Sequence, residues 1–260
     1  MSTTGSPPVR FPAGTSNSAP NYVFGNYPKS TPPRLNEYFN DFNTYAAGDW
    51  TVTATGGGTT ALTTGNGGNL LLSTAGANND VQGNELTQPT FAFTTGSQVW
   101  FSINVAIGGS VTTSAFMAGL SNTFATLAPT DGVYFSKPTG AATLNAIIRA
   151  SSTSTTIALG TMVAATAYTL SFYYDGRATP TLYFYTTIGM SAPTAYSAPY
   201  FSGGNQVIAS ASSDPAATNA LTNLPTAALT AGLAIKATTA AVRTATVDYI
   251  LAAEEIIGRF

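Results

Sequence analysis

Between Ala167 and Tyr185 the chain reads AYTLSFYYDGRATPTLYFY, and this stretch restricts the possible folds more than any other. Tyr168, Leu170, Phe172 and Tyr174 share one side of an extended strand, with Thr169, Ser171 and Tyr173 on the other. Asp175-Gly176 supplies a turn, after which Leu182 and Phe184 alternate with Tyr183 and Tyr185. Period-two alternation on two aromatic-rich arms around a glycine-containing connection predicts a β-hairpin. A hairpin alone is marginal in water, so its apolar side requires a second layer.

The rest of the chain supplies candidates for that layer. Alternation predicts strands over Trp50–Ala54, Asn69–Ser73, Gln98–Ile107, Ser114–Leu120, Gly132–Ser136, Thr143–Arg149 and Thr155–Leu159, with further strands around Leu233–Ile235 and Val247–Leu251. Weaker patterns fit Val81–Leu86, Thr90–Phe93 and Val207–Ser210. In all, about twelve to fourteen short strands with frequent turn signals, and no helix of three turns, predict an all-β, antiparallel β-sandwich. No fixed-period repeat suggests a propeller or solenoid. The expected division is an extended Pro-rich N-terminal arm over residues 1–36, then a sandwich domain over 37–260. A long insertion at about 188–228 holds Pro193, Pro199, Pro215 and Pro225, with a short helical turn expected over Pro215–Leu221.

Composition narrows the chemistry. The 260 residues include no cysteine and no histidine. Thiolate chemistry and disulfides are therefore out, as is every nucleophile that needs a histidine base. Charged residues make up 8% of the chain, against about 25% in an ordinary soluble domain. A surface of Thr, Ser, Ala, Gly and Asn packs beside other proteins with little charge to desolvate. Residues 1–36 carry +3 and the remainder −5. Three spread charges make too weak a footprint for nucleic acid. No apolar run reaches the roughly 20 residues of a membrane span, and no basic head with an apolar stretch marks a signal peptide.

Seven of the fifteen prolines lie before residue 36, which bars helix and central strand there. Interleaved are Phe11, Tyr22, Phe24 and Tyr27, with Arg10, Lys29 and Arg34 as the only charges. A plain tether has no use for aromatic anchors. These seven residues are the expected partner-binding set of an arm lying on a neighbouring protein.

Catalytic signals are weak. Asp41 with Asp49, Asp175, and Glu254-Glu255 are the available carboxylates for a two-acid glycosidase mechanism, but no strand carries an E-x-D-x-E spacing. Asp175 beside Gly176 reads as turn chemistry, and Glu254-Glu255 as a solvated strand end. Asn78-Asn79-Asp80 offers oxygen ligands for calcium but reads first as a turn. The glycine clusters 56–58 and 65–68 lack the lysine and following helix of a phosphate loop. Arg149 and Arg243 read as surface or cross-strand partners. Tyr168, Tyr173, Tyr183, Tyr185 and Tyr249 allow a sugar-stacking platform, although packing is the commoner use of such rings. No catalytic, cofactor-binding or metal-binding residue is assigned.

FNDFNTYAAGDWTVT at 39–53, TLSFYYDGRATPTLYFY at 169–185 and TATVDYILAAEE at 244–255 resemble a family of tailed-bacteriophage head decoration (cement) proteins with a concanavalin-like jelly-roll sandwich. The resemblance spans about 37–254 and leaves out the arm. It implies a non-enzymatic structural protein on the outer surface of the virion capsid, made in the host cytoplasm. It further implies the major capsid protein and copies of itself, as a homotrimer, as partners, with no nucleic acid, membrane or cofactor. Two other readings stay open beside it: a virion fibre, spike or lectin-like module binding host glycans, and a carbohydrate-active enzyme.

Overall fold

The computed structural model describes residues 35–64, 68–186, 206–212 and 221–255, with 206–212 described by backbone alone. Among the described residues, fifteen strands, numbered in chain order, form two antiparallel sheets. The first sheet contains β1 (Leu35–Asn40), β3 (Thr59–Thr63), β4 (Asn69–Ser73), β6 (Gln98–Gly108), β11 (Ala167–Tyr174), β12 (Thr181–Thr186), β13 (Gln206–Ser212) and β15 (Thr244–Glu255). Its order is β13-β12-β11-β6-β15-β4-β3, and β1 lies against the second half of β15. The second sheet contains β2 (Trp50–Ala54), β5 (Val81–Phe91), β7 (Ser114–Ser121), β8 (Gly132–Lys137), β9 (Thr143–Ala150), β10 (Thr153–Thr161) and β14 (Leu229–Ala237), in the order β10-β9-β8-β7-β14-β5-β2. The expected all-β sandwich is the fold.

The hairpin that opened the sequence reading is β11–β12, with Phe172 opposite Phe184 and Tyr173 opposite Tyr183. Its inward residues do what the alternation requires. Phe172 stacks on Phe101 of β6 at 5.3 Å and meets Phe135 of the facing sheet at 6.2 Å. Val99, Ile103, Val105, Leu233, Ile235 and Leu170 are all fully buried in the same layer. Each such side chain contributes about 1.5–3 kcal/mol through removal from water.

Three expectations change. Val81–Leu86 and Thr90–Phe93 are one strand, β5, whose register slips opposite Thr230 and Gly232; Pro89 cannot donate to a ladder, so the pattern broke there although the strand did not. A strand at Thr59–Thr63 was not anticipated, because a Thr-rich edge has too few apolar positions to alternate. The first strand starts at Leu35, two residues inside the expected arm, where it pairs with Glu255. The strand expected at Val207–Ser210 is β13, so the 188–228 insertion contains a sheet edge. Its expected helical turn over Pro215–Leu221 falls, except for Leu221, outside the described residues. Leu221 and Leu224 pack on the core and Asn223 Nδ2 donates to Thr155 Oγ1 at 3.0 Å, so the last part of the insertion closes the β10–β13 flank.

Candidate functional site

The seven residues expected to bind a partner, Arg10, Phe11, Tyr22, Phe24, Tyr27, Lys29 and Arg34, lie outside the described residues. The candidate surfaces on the body are therefore the outer faces of the two sheets.

On the first sheet, cross-strand register builds aligned rows. Tyr183, Tyr173, Trp100 and Ala253 stand opposite one another on β12, β11, β6 and β15. Trp100 stacks on Tyr173 at 5.4 Å, and Tyr173 on Tyr183 at 6.0 Å. The next row is Tyr185, Ser171, Ser102, Leu251 and Phe39. There Ser102 Oγ lies 2.8 Å from Ser171 Oγ and 3.1 Å from the Tyr249 hydroxyl. Below it, Asn104 Nδ2 donates to Thr169 Oγ1 at 3.0 Å. The face thus grades from aromatic to polar along the strands. Trp100, Tyr173 and Tyr185 are 0%, 5% and 2% exposed. Of the expected sugar-stacking tyrosines, Tyr168 also points inward, and its hydroxyl accepts from Val163 N. The exposed ring on this face is Phe39, 55% exposed and in tilted contact with Tyr249.

The second sheet's outer face is filled differently. Residues 122–131, between β7 and β8, fold back over it and seat Phe124, fully buried, among Met117, Tyr134 and Ala234. Gly83 and Gly232 make the seat possible. A Cβ on Gly232 would lie 2.7 Å from the Phe124 ring, and one on Gly83 would strike the Phe124 carbonyl. Glu85 Oε2 accepts from Phe124 N at 2.6 Å. Asn122 and Asp131 close the loop on itself, Asp131 N donating to Asn122 Oδ1 at 3.2 Å and Ser151 N to Asp131 Oδ1 at 3.0 Å. Beside the loop remains a cleft of about 450 Å³, lined by Val81, Ala115, Leu127, Ser136 and Lys236 among others.

Buried charges close opposite rims of the sandwich. Lys137, fully buried at the end of β8, donates from Nζ to the carbonyls of Val111 and Ser114, and to those of Pro138 at 3.1 Å and Ala141 at 3.2 Å. Among the described residues no carboxylate pairs with it, and burial pulls its pKa down to about 8. Glu254 stands opposite Val99 at the other rim, where Oε2 accepts from Ala92 N at 3.1 Å. Burial raises its pKa, opposed by the hydrogen bonds from Ala92 and Ser97. The solvated strand end expected at Glu254-Glu255 is thus corrected: both are 8% exposed, because β1 pairs along this end of β15.

The remaining sequence candidates are structural. Asp175 Oδ1 accepts from Thr181 N at 2.8 Å and Arg177 N at 3.3 Å, which is turn chemistry. Asp80 Oδ2 accepts from Ala77 N at 2.7 Å, and Asn79 takes a positive φ, so 77–80 is a turn. Among the described residues no three His, Cys, Asp or Glu groups stand close enough to hold a metal. Arg149 of β9 lies diagonally across from Tyr134 of β8 as a cross-strand neighbour, and Arg243 Nε donates to Thr113 O at 3.1 Å. The sequence reading missed the Phe124 seat and Lys137. Glycines inside the strands at 83, 119 and 232 were the available signal, since a strand-interior glycine marks a close approach.

No family model and no curated protein matches the chain. Solved structures do. A protein of unknown function from Shewanella oneidensis MR-1 superposes with TM-score 0.55 at 13% identity, covering 85% of this chain and 87% of that one. The endo-1,3-beta-glucanase of Streptomyces sioyaensis gives 0.53 at 11%, covering 88% and 99%. Peanut lectin gives 0.51 at 8%, covering 85% and 97%. The fold is the concanavalin-like jelly roll shared by lectins and glucanases, as the resemblance implied; likeness at this identity extends to the fold alone.

Proposed function

We propose that this protein is a non-catalytic structural module that decorates the outside of a larger protein shell, the head of a tailed bacteriophage, and stabilises it by bridging neighbouring subunits. The observation that carries this reading is the Phe124 loop seated on the outer face of the second sheet, which fills the middle of that face and leaves the cleft by Val81, Ala115 and Lys236 at its side. The buried aromatic rows of the first sheet and the neutral surface support it. Attachment belongs to the Pro-rich arm, with the major capsid protein as its partner. Binding only the assembled shell stabilises it by mass action, and an arm plus a docked body multiplies affinity through effective concentration.

Co-sedimentation with purified shells tests this, comparing the full chain with one lacking residues 1–34. The cut must stop there, because removing 35 and 36 would shorten β1. The full chain should pellet with the shells and raise their opening temperature, and the shortened chain should bind at least about tenfold more weakly. Equal binding by both would refute the arm's role, and no binding by the full chain would refute the whole reading.

A second reading, a lectin-like module on a fibre or spike binding host glycans, is favoured by Phe39, the exposed aromatic next to Tyr249 on a face with Asn104 and Thr169 nearby. A glycan array that loses its signals on Phe39→Ala would establish that reading instead.

A further inference from the structure

The two flanks of the sandwich are finished differently. At one, 221–224 covers the space beside β10 through Leu221, Leu224 and the Asn223 hydrogen bond to Thr155. At the other, β2 ends the second sheet and β3 ends the first, joined through Thr55–Gly58. Thr60 Oγ1 of β3 donates to Asn84 Oδ1 of β5 at 2.8 Å, which fixes the two edges on the same flank.

This second flank is open. Val52 stands opposite Asn84 and Leu62 opposite Leu70, both inward-facing positions, yet they are 45% and 44% exposed. Among the described residues, β2 and β3 pair on one side only. The run WTVTATGGGTTALTT at 50–64 has no charge and no proline. Natural edge strands are ordinarily blunted by a lysine, a proline, a bulge or a cover, because a bare edge is a template for another strand. Among the described residues, none of these is present on β2 or β3.

We infer that the β2–β3 flank is an interface between two copies of this chain, its edge strands pairing antiparallel with their counterparts across a two-fold axis. The partner strand must be uncharged, since a charged side chain brought against Val52 and Leu62 would be desolvated without a counter-ion. It must also offer a backbone donor at every second position and be rich in β-branched residues, which excludes prolines whose nitrogen would face the edge. The chain's own 50–63 meets both conditions. Antiparallel self-pairing about Val52 sets Thr51 opposite Thr53, and Thr–Thr and β-branched cross-strand pairs are favourable ones. Two-fold symmetry makes the patch complementary to itself. The strip is about fifteen residues long, short of the roughly 20–30 a side of a standard interface. Pairing is therefore weak between free copies and stronger where copies are already held side by side. The inference stands apart from the shell reading, because it concerns the free chain.

Sedimentation equilibrium of the full chain from about 1 µM to 1 mM tests it. The expected result is a reversible monomer–dimer equilibrium whose dissociation constant rises at least about tenfold in Thr51→Lys/Ala61→Lys. Both sites are exposed, and an unchanged circular dichroism spectrum and melting temperature would show that the variant folds. Val163→Lys, at a 59% exposed site away from this flank, should leave the equilibrium unchanged. Hydrogen exchange of amides in 50–54 and 59–63 should slow as wild-type concentration rises. A wild type that stays monomeric throughout, or any oligomer that the double variant leaves intact, overturns the inference.

Discussion

The two sheets cover their outer faces by opposite means. The first lays large rings side by side, so that Trp100, Tyr173 and Tyr183 fill one another's flanks. The second removes side chains altogether, at Gly83 and Gly232, and admits a loop whose Phe124 supplies the apolar mass. The first carries its apolar mass on the sheet's own side chains, with Leu35 of β1 packed against them. The second depends on backbone clearance, and it commits a loop that other jelly rolls could use elsewhere. Their rims differ as well: the second sheet ends at a buried ammonium on β8, the first at a buried carboxylate on β15.

Breaking the first face should have the largest effect. Trp100→Ala should cost about 4 kcal/mol, as for other fully buried large aromatics, read from the urea midpoint at constant slope. A loss below about 1 kcal/mol would mean the row is only surface dressing. Gly232→Val attacks the second face by crowding, and about 3 kcal/mol is expected. Here the diagnostic is local: amides of 122–131 should lose hydrogen-exchange protection while tryptophan emission stays unchanged. Retained protection would separate the loop from the glycine seat.

The rims sharpen the comparison through pH. Lys137→Met leaves four carbonyls without their donor and should cost about 2 kcal/mol near neutrality. The lysine's folded pKa lies below its unfolded value, so the unfolded chain binds more protons between about 8 and 10.5. Wild-type stability should therefore gain from this residue as pH rises through that window, relative to the methionine variant. Glu254 behaves in the opposite sense. Its folded pKa lies above 4.5, so its contribution falls as pH rises from there, and Glu254→Gln should shift stability by less than about 1 kcal/mol at pH 7, upward. A wild-type-minus-variant difference flat in pH for either residue would show that burial does not govern its titration.

Much of this arrangement was legible in the sequence, for a definable reason. Strands with one face in the core write their period directly, as β6 does with Val99, Phe101, Ile103, Val105 and Ile107, all fully buried between the sheets. The outward aromatics were visible too, but not their burial, because alternation says which face a ring takes and not what lies above it. Phe124 carried no signal of its own: it stands in a non-periodic loop, and only the three strand glycines hinted at something pressing on the sheet. Lys137 reads as an ordinary polar strand end, since four backbone carbonyls leave no trace in residue types. The β3 edge was hidden by the neutrality that makes it open.

Leu35 and Glu255 are register partners at the end of β15. A load applied between these two residues would meet the β1–β15 ladder one hydrogen-bonded pair at a time, as a zipper, not all six pairs together in shear. The sandwich is thus mechanically soft along that line. Anchored through the N-terminal side alone, with β15 bearing no load, the body would leave that ladder unstrained. The pairing of first strand with last therefore favours a body held from one side over one serving as a link in a tensioned chain.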